Sequence, residues 1–329
     1  ASITFKKRPD GRYSALRSWA FRQEGPAPLQ AGVADVRVRR EKRANGRGTY
    51  TVVLISVTFE AKAGAAGALS SIGDTDPADK DELTATYNEP DPAVSLAPRQ
   101  AFDRYFDRVI EGRRALLREA GVERPDESVL GSVLPNDLVS RLAVAELDGR
   151  RLEDKELSWT LLLLLLGGNE TSTALLTNLV WRLLQVPERW AALREDPERV
   201  EAAVEESLRF DPPVLGLFRT PTRDLTLHGV TIPAKAKVML LYSASNRDPG
   251  IFDEPDEFRL DRDPDETRRH VLTFGFGHHY CPGAALARLE ARIALRMLLE
   301  RAPDLQLVGE PERIVPFNLW GRATLPVAW

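Results

Sequence analysis

The chain has 329 residues, 43% of them hydrophobic and 29% charged, a globular composition long enough for one large domain or two ordinary ones. The net charge of -4 is unevenly spread: residues 1–50 hold twelve Lys and Arg against four Asp and Glu, so the body beyond them is acidic, which argues against nucleic acid as the main partner and leaves only a local anionic contact open at the head. A single cysteine excludes an intrachain disulfide and fits a reducing compartment. The basic start has no apolar run behind it, and the longest apolar stretch, Leu161 to Leu166, is far short of the roughly 20 residues that span a bilayer, so a cytoplasmic protein without a secretory signal or membrane segment is expected.

Residues 1–60 read as strands and turns, with Gly11, Gly46 and Gly48 punctuating basic segments and Thr49 to Phe59 dense in β-branched residues. Ala61 to Pro98 is rich in Ala, Gly, Asp and Pro and predicts loops or a short helix, at a boundary between an atypical, partly β region, 1–97, and the remainder, 98–329. Beyond Pro98, Phe102, Phe106, Val109, Ile110, Leu116 and Leu117 recur at helical spacing as far as Gly121. Asp137 to Leu147 predicts a second helix. Asp154 to Gln185 predicts a long third one, interrupted by Gly167 and Gly168 and apolar around its whole axis, as in a helix buried at the centre of a large domain. A helix over Pro197 to Phe210, β segments within Val214 to Leu241, an irregular Asn246 to Arg262 and an amphipathic helix over Gly283 to Arg301 complete a chain that is mainly α with a small β portion.

Cys281 follows a loop bearing Gly275 and Gly277 and precedes Gly283, which opens the last helix. A thiolate at a helix N-terminus is stabilised by unpaired amides and the helix dipole, and the glycines let the backbone approach a flat ligand closely. An isolated cysteine is more often a small buried hydrophobe; this one stands in the decade FGFGHHYCPG. A second cluster, Gly167, Gly168, Asn169, Glu170 and Thr171, lies in the long helix. Adjacent glycines there cost about 1 kcal/mol each against alanine, and a carboxyl and hydroxyl in an apolar helix need water or a partner. A kink with a local Thr-to-carbonyl bond is the structural alternative. Glu206 and Arg209, at i and i+3, can pair on one helix face, although a solvated surface pair is the common outcome of that spacing.

The decade resembles the cytochrome P-450 pattern Phe-Gly-x-Gly-x-His-x-Cys-x-Gly, matched at Phe274, Gly275, Gly277, His279, Cys281 and Gly283. The resemblance implies a cytochrome P-450 fold holding haem b, with Cys281 as the proximal thiolate on the iron, Phe274 beside the sulfur and His279 on a haem propionate. Pro282 departs from the apolar residue often found there and removes an amide near the sulfur. By the same resemblance Gly167 and Gly168 make room over the iron, Glu170 and Thr171 organise proton delivery, Arg262 joins Glu206 and Arg209 in a buried structural network, and Arg219 binds a propionate. An exposed loop arginine is the alternative for Arg219. Val214, Leu215 and Leu217 are candidates for the substrate pocket wall.

The implied activity is insertion of one oxygen atom from O2 into a small apolar organic substrate, with electrons from a separate ferredoxin or flavodoxin type donor that Arg288 and Arg292 would face. Two other readings stand beside it: a peroxygenase on the same fold, and a truncated or rearranged haem-binding protein without monooxygenase activity. The similarity runs from about Pro98 to Trp329. Ahead of it Thr171 arrives early for the family, and the phrase SSIGDTDP (Ser70 to Pro77) is followed by ADKDELTATYNE rather than the family's propionate-binding His and Arg, so the fold is expected to be incomplete or altered at the N-terminal side.

Overall fold

The computed structural model describes the strands at 2–7, 13–17, 31–45 and 48–61, and residues 92–329 apart from 148 and 315–317. The Ser70 to Pro77 phrase and its continuation lie outside the described residues. The chain divides into two compact units, one of residues 1–9 and 16–170 and the other of residues 10–15 and 171–329.

In the first unit, strands β1 (Ser2–Lys7), β3 (Ala31–Asn45) and β4 (Gly48–Ala61) follow the β-rich reading of the head; β2 (Tyr13–Arg17) lies between β1 and β3 in sequence, and its residues 13–15 belong to the second unit. β4 carries the β-branched run and pairs antiparallel on both sides, with β1 from Ser2↔Ser56 to Lys7↔Thr51 and with β3 from Ala31↔Ala61 to Asn45↔Gly48. Helix α1 (Pro92–Glu119) starts ahead of the expected Pro98. Phe102, Phe106 and Ile110 recur every four residues along it, so they share one face, and they pack with Val139 and Ala143 of α2 (Leu138–Val144) and with Leu157, Leu161 and Leu162 of α3 (Asp154–Leu184). Gly121, at φ +67, ends α1 in the left-handed region that glycine adopts without strain, and Val122 N–H donates back to Leu117 O at 2.9 Å. Arg113 donates to Asp137 Oδ2 at 2.7 Å while Asp137 caps α2 by accepting from Ser140 N–H at 2.8 Å. A two-residue ladder of β5 (Glu146–Leu147) and β6 (Arg150–Arg151) leads into α3.

The expectation that α3 is buried all round does not hold over its first half. Leu157, Leu161 and Leu162 are buried, but Trp159 and Leu163 are exposed, as are Gly167 and Gly168. Leu163 is 71% exposed, so the apolar character around the axis exceeds what packing uses there.

In the second unit α3 continues from Thr171, and Leu175, Leu179 and Leu183 bury its inner stripe. Helix α4 (Pro187–Glu195) follows and was not anticipated, because its apolar positions are only Trp190, Ala191, Ala192 and Leu193. A single 3-10 turn at Pro197–Arg199, capped by Asp196, enters α5 (Val200–Phe210). α5 is buried along nearly its whole length and packs on α7 (Pro264–His270) and α8 (Ala284–Arg301). Between them lie β7 (Gly216–Arg219), the hairpin of β8 (Leu225–Leu227) and β9 (Val230–Ile232), β10 (Val238–Leu241) and the one-turn α6 (Tyr242–Ser245). The β8–β9 turn is His228-Gly229 with both φ positive, the conformation a two-residue hairpin favours. β11 (Gln306–Leu307) pairs with β12 (Val327–Ala328), and Val327 also pairs with Tyr13.

Two packing details bear directly on stability. A methyl built on Gly321 would lie 2.6 Å from Ala174 Cβ, so the terminal segment passes α3 at a distance only glycine allows. Gly321→Ala is expected to destabilise the protein by about 1–3 kcal/mol, the usual cost of overpacking, read as a lowered denaturation midpoint at unchanged slope. Glu290 on α8 is buried, which pushes its carboxyl above 4.5 against the opposing hydrogen bond with Ser172. A raised folded-state value means the carboxyl stabilises the fold at low pH and weakens it as pH rises through that value. Glu290→Gln is therefore expected to raise the thermal midpoint more at pH 8 than at pH 4.

Candidate functional site

The Cys281 loop is anchored before it begins. Thr273 Oγ1 donates to Leu208 O of α5 at 2.6 Å and accepts from Asn246 Nδ2 at 2.8 Å, while Leu272 N–H donates to Asn246 Oδ1 at 2.8 Å. Phe274 therefore leaves from a fixed point. Gly275 at φ +75 and Gly277 at φ +71 then reverse the chain in a conformation that side chains resist. Cys281 N–H donates to Phe274 O at 2.9 Å, closing the loop across its base. A methyl on Gly283, the N-cap of α8, would lie 3.8 Å from Cys281 Sγ, so the sulfur lies close to the start of that helix.

Cys281 is half-buried, and around it the loop presents Phe276, His278, His279 and Tyr280 to the outside; Phe276 is 84% exposed. Among the described residues, no group of three or more His, Cys, Asp or Glu side chains gathers to hold a metal ion. A metal at this thiol would thus have to bring its other donors with it. Haem would do so, because its porphyrin supplies donors of its own and a single protein thiol suffices to hold it. The donor set and the exposed aromatic side chains fit that group: Cys281 would hold the iron.

Arg219, at the end of β7, is exposed and its Nη1 donates to Phe218 O at 2.9 Å; among the described residues no carboxylate pairs with it. It and His279 would suit the propionates. Leu217 is exposed, while Val214 and Leu215 are half-buried and tied down, Leu215 N–H donating to Asn318 O at 2.9 Å and its carbonyl accepting from Ser243 N–H at 3.1 Å. β7 pairs with β10 from Gly216↔Leu241 to Arg219↔Val238, and a methyl on Gly216 would fall 2.4 Å from Leu240 O, so this register requires glycine.

On α3, Glu170 and Thr171 are half-buried, and a methyl built on Gly167 or Gly168 meets nothing within 4 Å. The glycines therefore leave open space rather than permit a close helix contact. Gly167, Gly168 and Glu170 belong to the first unit, and Thr171, Arg219 and the Cys281 loop to the second.

Glu206 and Arg209 are both fully buried and joined by two parallel bonds, 2.7 Å from Nε to Oε2 and 2.8 Å from Nη2 to Oε1. Arg209 also donates to the carbonyls of Asn246 (3.1 Å), Pro255 (2.8 Å) and Glu257 (2.8 Å). Glu206 Oε1 accepts from Arg259 N–H at 2.8 Å, and Arg262 Nε approaches Oε2 at 3.3 Å. The irregular Asn246 to Arg262 segment is thereby held without regular secondary structure.

The expectation that Arg288 faces a partner does not survive. Its side chain is buried at 8% exposure, because Glu205, 83 residues earlier, holds its Nε at 2.7 Å. Arg292 is more open and pairs with Glu201 at 3.1 Å. Asn246, Thr273 and Glu205 were not singled out from the sequence; single polar residues carry no spacing signal, and only the fold reveals that they meet.

The family model described as Cytochrome P450 matches residues 94–302, more than half of the chain. Curated relatives include a steroid C26-monooxygenase of Mycolicibacterium smegmatis, 39% identical over 59% of this chain and 48% of its own length, and a biotin biosynthesis cytochrome P450 of Bacillus subtilis, 42% identical over the same shares. The chain thus spans about half the length of these relatives. Among solved structures, cytochrome P450 CYP109Q5 from Chondromyces apiculatus is 35% identical with a TM-score of 0.66, covering 78% of this chain and 60% of that one.

Removing one partner of a buried pair strands the other charge. Arg209→Met is expected to cost about 3–5 kcal/mol, with loss of the cooperative thermal transition as its most visible consequence.

Proposed function

Because the chain belongs to the cytochrome P450 family, we propose that residues 98–329 form its catalytic core, that Cys281 ligates the iron of haem b, and that the protein is a haem-thiolate monooxygenase acting on a small apolar substrate. The observation that carries this reading is the anchored loop that sets one thiol over the N-terminus of α8 with no companion ligands among the described residues. Bound haem supplies the centre at which O2 is activated and one of its atoms transferred, the other leaving as water.

The chain's own residues supply the setting. Cys281 lies just ahead of α8, and the Phe274 carbonyl holds its amide. Arg219 and His279 offer donors for the propionates, where a guanidinium suits a carboxylate through paired hydrogen bonds. Gly167 and Gly168 keep side chains out of the space beside α3, and Glu170 and Thr171 offer a carboxyl and a hydroxyl through which protons can pass. Val214, Leu215 and Leu217 provide apolar wall. Glu206, Arg209 and Arg262 position the loop and take no part in the chemistry.

Electrons come in this reading from a separate ferredoxin or flavodoxin type protein. Substrate class is left at apolar and small, since the two curated relatives carry steroid and biotin-pathway names. The lone cysteine must stay reduced to serve as ligand, which suits a cytoplasmic setting. Among the described residues no helix is long and apolar enough to cross a membrane.

The carbon monoxide difference spectrum of the reduced, haem-loaded protein tests the ligand. A red-shifted, thiolate-type Soret band is expected, and Cys281→Ala is expected to abolish it; failure to take up haem at all would overturn the assignment. Substrate turnover with peroxide and no redox partner would instead favour a peroxygenase.

A further inference from the structure

Where the terminal segment of the second unit passes α3, a cation is buried at the crossing. Arg322 is 4% exposed, and its Nε and Nη1 have no hydrogen-bond partner among the described residues. Its guanidinium carbon instead stands 3.7 Å from the centre of the Trp181 ring and 5.0 Å from that of Trp320. Arg182 lies 4.3 Å from the Trp181 ring and Arg313 4.0 Å from the Trp320 ring, so three guanidiniums and two indoles adjoin in the order Arg182, Trp181, Arg322, Trp320, Arg313. Among the described residues, Asp211 is the one carboxylate paired with any of the three, through Arg182.

A guanidinium buried without acceptors costs more than an apolar side chain of similar size, so net stability is not what Arg322 contributes here. Its flat face suits an indole, and that contact fixes the orientation of the Trp320 ring. The rest of Trp320 is fixed as well. Its Nε1 donates to Asp211 Oδ1 at 2.9 Å, its carbonyl accepts from Asn178 Nδ2 at 2.9 Å, and its N–H donates to Pro213 O at 2.8 Å. That last bond begins an antiparallel strip. Leu319 bridges Val214, and Asn318 O accepts from Leu215 N–H at 2.9 Å, so residues 320, 319 and 318 hold residues 213, 214 and 215 in turn. In such a pairing a slip of one residue turns side chains to the opposite face. The register of Val214 and Leu215 therefore depends on where Trp320 is seated.

We infer that Arg322 is a positioning residue for the apolar wall: by seating Trp320 against α3, it fixes the register in which Val214 and Leu215 meet a bound apolar molecule. The inference rests on the haem-thiolate reading above and on those two side chains lining its pocket. The backbone at the crossing is held independently of the guanidinium, because Arg322 N–H donates to Thr177 Oγ1 at 3.2 Å and Gly321 passes close to Ala174. Changing the side chain thus frees the ring and leaves the crossing in place.

Imidazole and phenylimidazole read the wall directly, since both bind haem iron through a ring nitrogen and they differ by one phenyl group. Their dissociation constants are measured by Soret titration of the haem-loaded protein as wild type, Arg322→Met, Arg322→Lys, Arg313→Met, Trp320→Leu and the double variant of Arg322→Met with Trp320→Leu. The wild type is expected to bind phenylimidazole about tenfold to a hundredfold more tightly than imidazole, the worth of burying a ring of that size. Arg322→Met is expected to reduce this preference by about threefold to tenfold while imidazole affinity stays within about twofold. Arg322→Lys keeps the cation without the flat face; it is expected to act in the same direction, and it decides the matter if Arg322→Met does not load haem. Arg313→Met, at the exposed end of the stack, is expected to change the preference by less than about twofold, as is Arg322→Met in the Trp320→Leu background. A wild-type preference retained in both Arg322 variants would overturn the inference and leave the wall assignment standing, as would an equal loss from Arg313→Met or an undiminished effect in the Trp320→Leu background. A wild type with no preference would overturn the wall assignment and the inference together. A wild type without the thiolate-type carbon monoxide band would overturn the haem-thiolate reading on which both rest.

Discussion

The bidentate Glu206–Arg209 pair is the contact on which the second unit is organised. Two opposite charges removed from water contribute little net stability by themselves, because desolvation consumes much of their attraction. What they do here is organise. Arg209 gathers three carbonyls from a stretch that forms neither helix nor strand, and Glu206 gathers a backbone amide and Arg262 from the end of it. Asn246, whose carbonyl is one of those three, then fixes Leu272 and Thr273 with its side chain. The start of the Cys281 loop is thus tied to the ion pair of α5 through hydrogen bonds and the backbone between them.

Much of this was legible in the sequence wherever periodicity or a dense motif carried it. The four-residue recurrence of Phe102, Phe106 and Ile110 predicted a helical face, and the glycines of FGFGHHYCPG announced turns that Gly275 and Gly277 make at positive φ. The spacing of Glu206 and Arg209 allowed a pair but could not say that both would be fully buried, which depends on segments 37 to 56 residues further on. Arg288 was misread for the same reason. On a helical wheel it resembles a solvent-facing cation, and only the arrival of Glu205 from α5 turns it inward. Composition also misled over α3, where a run of leucines implied burial all round and Leu163 is exposed.

The site combines strict and permissive elements. In the proposed reading, the thiol of Cys281 and the guanidinium of Arg219, which has no carboxylate partner among the described residues, suit a ligand that bears a metal and is anionic at its rim. The substrate-facing candidates are ordinary apolar side chains on β7 and the segment before it, which specify little beyond hydrophobicity. Recognition of the cofactor is therefore written in geometry, while recognition of the substrate is written in the shape of a wall.

The way the ligand loop is fastened has a further consequence. Its attachments use backbone atoms of Leu272, Phe274 and Cys281 and the side chains of Thr273 and Phe274, met by Asn246 and Arg288, and none of them passes through the side chains of Phe276 or His278. The loop is in that sense a rigid mount with interchangeable facets. Its outward chemistry can drift, acquiring charge or bulk to suit whatever approaches from that side, while the mount stays under the control of the buried Asn246, Thr273 and Arg288.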